Sequence, residues 1–135
     1  MLEIIHRQFG KLTKRLNAPA EHSEFRTTPK HDGSAHCEYD GTSYRYIVTE
    51  RGHELERRMT VEADELLFWL ISDVALLMAL RFELCNRDPN AAGIDSRRVW
   101  MPHQVELLRS VRESWADRMA AEHKSRLLEH PYIDG

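Results

Sequence analysis

The sequence predicts an α+β fold: an N-terminal helix, a three-stranded antiparallel meander packed on a long central helix, and two or three C-terminal helices. Three observations predict it. Leu2, Ile5, Phe9, Leu12 and Leu16 recur at steps of three and four, an apolar stripe along one helix. Asp40-Gly41 lies between two β-prone runs, and Arg51-Gly52 offers a second turn after the next run. Leu66, Leu67, Leu70, Ile71, Val74, Leu77, Met78 and Phe82 then form a stripe wide enough for a helix buried on much of its circumference.

In the first helix, Lys11, Lys14 and Arg15 fall near the C-terminus, where cations suit the helix dipole. Residues 17–34 contain Pro19, Pro29 and Gly33 and show no period, so they read as a long connection. A two-residue turn at Asp40-Gly41 pairs Tyr39 with Thr42 and Cys37 with Tyr44. One face then carries Cys37, Tyr39, Tyr44, Tyr46 and Val48, and the other carries His36, Glu38, Ser43 and Arg45. A turn at Arg51-Gly52 sets Val48 against Leu55, Tyr44 against Met59 and Tyr46 against Arg57, extending the apolar face onto a third strand, His53–Thr60.

Thr60 is the expected N-cap of the central helix, which runs to about Arg87, with Glu62, Asp64 and Glu65 in its first turn. Residues 88–93 read as a loop. Asp95 or Ser96 caps a short turn through Arg98, and Pro102 suits the first turn of the following helix. Val105, Leu108 and Val111 line that helix, and Trp115, Met119 and Leu127 mark a last one ending near His130-Pro131.

At 135 residues the chain fits one domain, residues 1–135. Its 41% hydrophobic and 30% charged content is ordinary for a globular protein. The net charge of −3, from 19 basic and 22 acidic residues, lacks the basic excess of a nucleic-acid module. Two cysteines, Cys37 and Cys85, are too few for a disulfide scaffold and read as reduced thiols in a cytoplasmic protein. The N-terminus is amphipathic rather than signal-like, and Ser72-Asp73 interrupts the longest apolar run, so neither secretion nor membrane spanning is expected.

No catalytic set converges. His31, His36 and Cys37 lack the paired, regular spacing of a zinc site, and the position four after His53 is Arg57 rather than a second histidine. Cys37 and its neighbour His36 point to opposite faces of a strand, and Cys85 on the core helix reads as packing. No phosphate-binding glycine loop and no serine elbow occur. No catalytic residue, cofactor ligand or metal ligand is therefore assigned. Glu50-Arg51-Gly52 and Asp95-Ser96-Arg97-Arg98 are the most distinctive polar groups. Their favoured role is structural, with an arginine bridging to Glu83 or Asp73.

The run GTSYRYIVTERGHELERRMT, followed by DELLFWLISDVALLMALRFEL and DSRRVW, resembles the immunity protein 63 family of bacterial polymorphic-toxin systems. The resemblance covers residues 41–134, and more weakly Asn17-Ala18-Pro19. It rests on the order of short pieces: Tyr44, Tyr46, Glu50, Arg51 and Gly52, then Asp95, Arg97, Arg98, Trp100, Gln104 and Trp115, and a His130-Pro131-Tyr132 ending with Asp134. The linker at residues 22–34 departs from the pattern. The resemblance implies a non-enzymatic binding protein whose partner is a cognate toxin domain, with no nucleic acid, membrane or cofactor involved. Family-wide residues then hold the fold. Exposed residues meet the toxin, the candidates being Glu38, Arg45, Glu54, Glu56 and Trp100. The alternative is a small enzyme or ligand-binding domain with a pocket between sheet and helices, lined by Tyr44, Tyr46, Arg97 and Arg98.

Overall fold

The computed structural model describes residues 1–91 and 93–135. Helix α1 (Leu2–Arg15) precedes a 3-10 turn (Ala20–His22) and the strands β1 (Asp32–Tyr39), β2 (Tyr44–Glu50) and β3 (His53–Thr60). Helix α2 (Ala63–Cys85), a second 3-10 turn (Pro89–Ala91), α3 (Arg97–Arg109) and α4 (Glu113–Glu129) follow. The sheet is an antiparallel meander in the order β1-β2-β3. The predicted α+β architecture is the observed one. The predicted loop at residues 88–93 includes residue 92, which lies outside the described residues.

Helix α2 is the centre of the molecule. Leu66, Ile71, Ala75 and Ala79 are almost fully buried along it, and it packs against α1, the sheet and α3. Ile5 and Phe9 of α1, Cys37, Tyr44 and Tyr46 of the sheet, Val105 and Leu108 of α3, and Trp115, Ala116 and Met119 of α4 complete the core. Burying each of the Val, Leu, Ile, Phe and Met side chains among them contributes about 1.5–3 kcal/mol. Leu77 and Phe82, expected in the same stripe, are 46% and 39% exposed. One side of the C-terminal half of α2, carrying Leu77, Leu80, Phe82 and Leu84, is exposed, while Ala75, Ala79 and Glu83 stay buried. Cys85 is likewise exposed rather than packed.

The first hairpin departs from the predicted turn without changing faces. Tyr39 pairs with Tyr44 and Cys37 with Tyr46, so residues 40–43 form the connection. The cause is Asp40, whose carboxylate accepts the N–H groups of Thr42 at 2.9 Å and Ser43 at 2.8 Å, stabilising a wider turn. The slip is two residues, which preserves the period-two alternation.

The second hairpin departs in a way that matters. Next to the turn the predicted register holds, with Glu50 opposite His53 and Thr49 opposite Glu54. A bulge then leaves Leu55 unpaired, and Val48 faces Glu56, Tyr46 faces Arg58 and Tyr44 faces Thr60. One extra residue reverses the faces of the rest of β3. Leu55 and Met59 are therefore 60% and 63% exposed, and Arg58, not Arg57, lies over the Tyr46 ring at 4.9 Å.

Three helix ends also differ from expectation. Thr60 Oγ1 accepts the Glu62 N–H at 3.0 Å, shaping the turn into α2, and the N-cap position belongs to Glu62. Asn86, whose side chain donates to the Phe82 carbonyl, closes α2 before Arg87. Residues 97–109 form one continuous helix that contains Pro102, rather than a short turn and a separate helix. The Asp95 carboxylate, accepting the Arg97 N–H at 3.0 Å, supports its first turn.

Candidate functional site

Two regions hold the sequence-predicted polar residues. The first is the sheet face turned away from α2, formed by His36 and Glu38 of β1, Arg45, Ile47 and Thr49 of β2, and Glu54, Arg57 and Met59 of β3. Glu38 opposes Arg45, and Arg45 also donates to Asp40 at 2.8 Å. Arg57 donates to both carboxylate oxygens of Glu54 and holds its carboxyl below the usual range. The N–H groups of Ser43 and Thr42 hold Asp40 down at about 2. Ile47 and His36 are each only 3% exposed at the centre of this face. The Nδ1 of His36 and the Oγ1 of Thr49 are buried there without hydrogen-bond partners.

The second region is a solvent-open cavity of about 180 Å³ lined by β3, α2, α3 and α4. Arg58, Trp69, Ser72, Asp73, Trp100 and Gln104 line it, together with Glu122, His123 and Arg126 of α4. On its floor Gln104 donates to the Ser72 carbonyl at 3.0 Å. The Gln104 carbonyl oxygen lies 2.8 Å from His123 Nε2, so that nitrogen carries the proton. Burial, aided by Arg126, holds His123 neutral, with its pKa down to about 4. Across the cavity the Tyr46 hydroxyl donates to Asp73. Burial raises Asp73 to about 6, with Tyr46 and Arg58 pulling the other way, and pushes the Tyr46 hydroxyl upward. Arg58 donates to Glu56 and lies 5.3 Å from the Trp69 ring.

The five candidate contact residues therefore do not share one surface. Glu38, Arg45 and Glu54 lie on the outward sheet face. Glu56 points to the opposite side and joins Arg58, and Trp100 forms a wall of the cavity. The distinctive polar motifs are separated too. Glu50, Arg51 and Gly52 form an exposed turn in which Arg51 and Gly52 have φ of 51° and 80°. Glycine suits the second of these positions because it carries no Cβ.

The expected arginine bridge to Glu83 or Asp73 is not formed. Glu83 pairs with Arg87, and Asp73 is held by Tyr46. Asp95, Arg97 and Arg98 instead meet the C-terminal tail. Arg97 donates to the His130 and Pro131 carbonyls at 2.8 and 2.9 Å, and Asp95 accepts the Ile133 N–H at 2.9 Å. Arg98 pairs with Asp134 and lies 4.0 Å from the Tyr132 ring. Tyr44, Tyr46, Arg97 and Arg98 are absent from the lining of the 180 Å³ cavity, which Tyr46 borders through Asp73, Arg58 and Trp69; of the four, Tyr46 lines a second cavity at Asp73, of about 550 Å³.

Sequence reasoning missed Ser72, Asp73, Gln104 and His123 as a cluster. The available signal is the polar Ser72-Asp73 step within an apolar helix, which argues against membrane spanning and offers Asp73 to an arginine but does not by itself point to a cavity. Among the described residues, no group of three His, Cys, Asp or Glu side chains is placed to hold a metal ion. Cys37 is buried and its thiol is pushed up to about 12, far from a reactive thiolate. No helix among the described residues is long and apolar enough to cross a membrane.

Comparison with known proteins adds the family. No curated protein and no solved structure matches the chain. The sequence profile described as Immunity protein 63 matches residues 40–125, from the first hairpin turn into α4. The tail motif at residues 130–134 and the Asn17-Ala18-Pro19 piece lie outside that match. With well over half of its length matched, the chain belongs to the Immunity protein 63 family.

Proposed function

We propose that this chain is a non-enzymatic immunity protein that binds a cognate toxin domain of a bacterial polymorphic-toxin system and neutralises it by direct protein–protein contact in the cytoplasm, with residues 1–135 acting as one unit and no cofactor. The observation that carries the reading is the family match over residues 40–125. The outward sheet face supports it with charged groups set around a buried centre. Glu38, Arg45 and Glu54 are its contact candidates, and Glu56 and Trp100 belong to the neighbouring cavity side. In the same reading Tyr44 and Tyr46 hold the sheet to α2, Glu50-Arg51-Gly52 sets the second turn, and Asp95, Arg97 and Arg98 fasten the tail.

The test is co-expression with the C-terminal domain encoded by the gene immediately upstream. Rescue of growth and co-purification of the two proteins are the expected results. Continued killing at matched expression, with no complex recovered, would contradict the proposal.

A second reading, a small ligand-binding domain or enzyme, draws on the cavity at Asp73. Sites for free small molecules usually span about 300–1,000 Å³; this one is smaller, at about 180 Å³, whereas a second cavity at Asp73, lined also by Phe9, Tyr46, Leu70 and Val74, is about 550 Å³.

A further inference from the structure

Asp73 is a half-buried carboxylate on the central helix with little to offset its charge. Among the described residues it has one hydrogen-bond donor, the Tyr46 hydroxyl, and no ion-pair partner. The nearest cation, Arg58, is committed to both carboxylate oxygens of Glu56. A half-buried carboxylate in this position gains from a cation that replaces the water it has lost.

A second observation points the same way. Ser72, only 7% exposed, lines the same cavity, and its Oγ is buried without a partner. His123, protonated on Nε2 by its contact with Gln104, keeps Nδ1 as an acceptor. The walls add Trp69 and Trp100, whose ring faces favour cations. Of the two remaining charges lining the cavity, Glu122 pairs with Arg118 at 3.5 Å, and Arg126 is exposed, where solvent screens it. The volume of about 180 Å³, open on one side, suits the head of one long side chain better than a free ligand.

From this geometry we infer that the cavity between β3, α2, α3 and α4 receives a cationic side chain, arginine or lysine, from a protein partner. Its charged head is placed at Asp73 and Ser72, and its stem lies against Trp69 and Trp100. The inference deepens the toxin-binding reading and rests on it for the partner: the side chain belongs to the toxin domain. Filling the cavity gives Asp73 its missing counter-charge only in the complex. Leaving such a group buried and unpaired on removal of its partner is what makes desolvated charge pairs dominate interfaces.

The experiment uses the full chain, 15N-labelled, and follows the indole N–H signals of its three tryptophans. The probes are Nα-acetyl-arginine N-methylamide and the matching glutamate derivative, and the upstream-encoded toxin domain is titrated in parallel. The expected result is saturable movement of the Trp69 and Trp100 signals with the arginine probe alone, while Trp115 stays still. Asp73→Asn should abolish that movement and weaken toxin binding about tenfold or more. Trp100→Leu, which removes a wall and leaves the Tyr46–Asp73 bond untouched, provides the same test if Asp73→Asn does not fold.

No movement, or equal movement with the glutamate probe, in a protein that still binds the toxin overturns this inference and leaves the toxin reading intact. Arginine-probe binding with toxin affinity unchanged in Asp73→Asn overturns the docking role. A wild-type chain that binds no toxin overturns the assignment of the partner, whatever the probe does.

Discussion

The Tyr46 hydroxyl donates to the Asp73 carboxylate, joining the middle strand of the sheet to the centre of α2. The bond does two things. It satisfies one lone pair of a carboxylate set in an apolar helix, and it fixes the Tyr46 ring where Arg58 covers it and Trp69 meets it edge-on at 5.9 Å. Strand register, cavity wall and a half-buried charge all meet at this contact.

Tyr46→Phe should destabilise the protein by about 1–3 kcal/mol at neutral pH, the cost of leaving a buried acceptor unsatisfied. Urea unfolding of the two proteins measures it. The loss should shrink at acid pH, where a protonated Asp73 no longer needs the donor.

The pH dependence follows from the sign of the Asp73 shift. Its pKa of about 6 in the folded protein lies above the ordinary aspartate value of 3.8. Between these values the folded state holds more protons than the unfolded state, so this group's contribution to stability falls as pH rises through the window. Tyr46 and Arg58 oppose the shift, and Glu56 adds to it. Asp40, Asp95 and Glu65, all shifted downward, act in the opposite sense. The comparison is therefore between wild type and Asp73→Asn. The wild type should lose up to about 3 kcal/mol relative to the variant on going from pH 4 to pH 7. Parallel stability curves across that range would show that Asp73 is not perturbed.

The architecture was legible in the sequence because hydrophobic periodicity and turn residues report burial directly. The first hairpin shows how far this reaches. Its turn length was missed, yet the faces of Cys37, Tyr44 and Tyr46 were right, because a two-residue slip preserves alternation. The second hairpin shows where it stops. A single unpaired residue, Leu55, reverses the rest of β3, and nothing in HELERRMT marks that position as a bulge. The cavity was less legible still. Asp73, Gln104 and His123 come from three helices, and only tertiary packing brings them together.

The tail clamp predicts a local effect. Asp95→Asn removes one charged partner of Arg97 and weakens the acceptor of the Ile133 N–H. Hydrogen exchange of residues 130–135 should accelerate while the amides of α2 keep their protection. Unchanged exchange at Ile133 would show that the tail is held by other contacts.

On the outward sheet face, Glu38→Ala and Glu54→Ala alter exposed side chains and should leave the melting temperature unchanged. If this face meets the toxin, each should weaken the complex by a few-fold to about tenfold, mostly through the association rate at low salt. Equal association rates for wild type and variants would move the interface off this face.

The central claim is that the chain neutralises its toxin by binding it. It is tested most directly by titrating the purified chain into an activity assay of the purified, upstream-encoded toxin domain. The account predicts that activity falls linearly to zero at one equivalent, with a complex of the two chains isolated at that point. Full toxin activity in the presence of excess chain would contradict it.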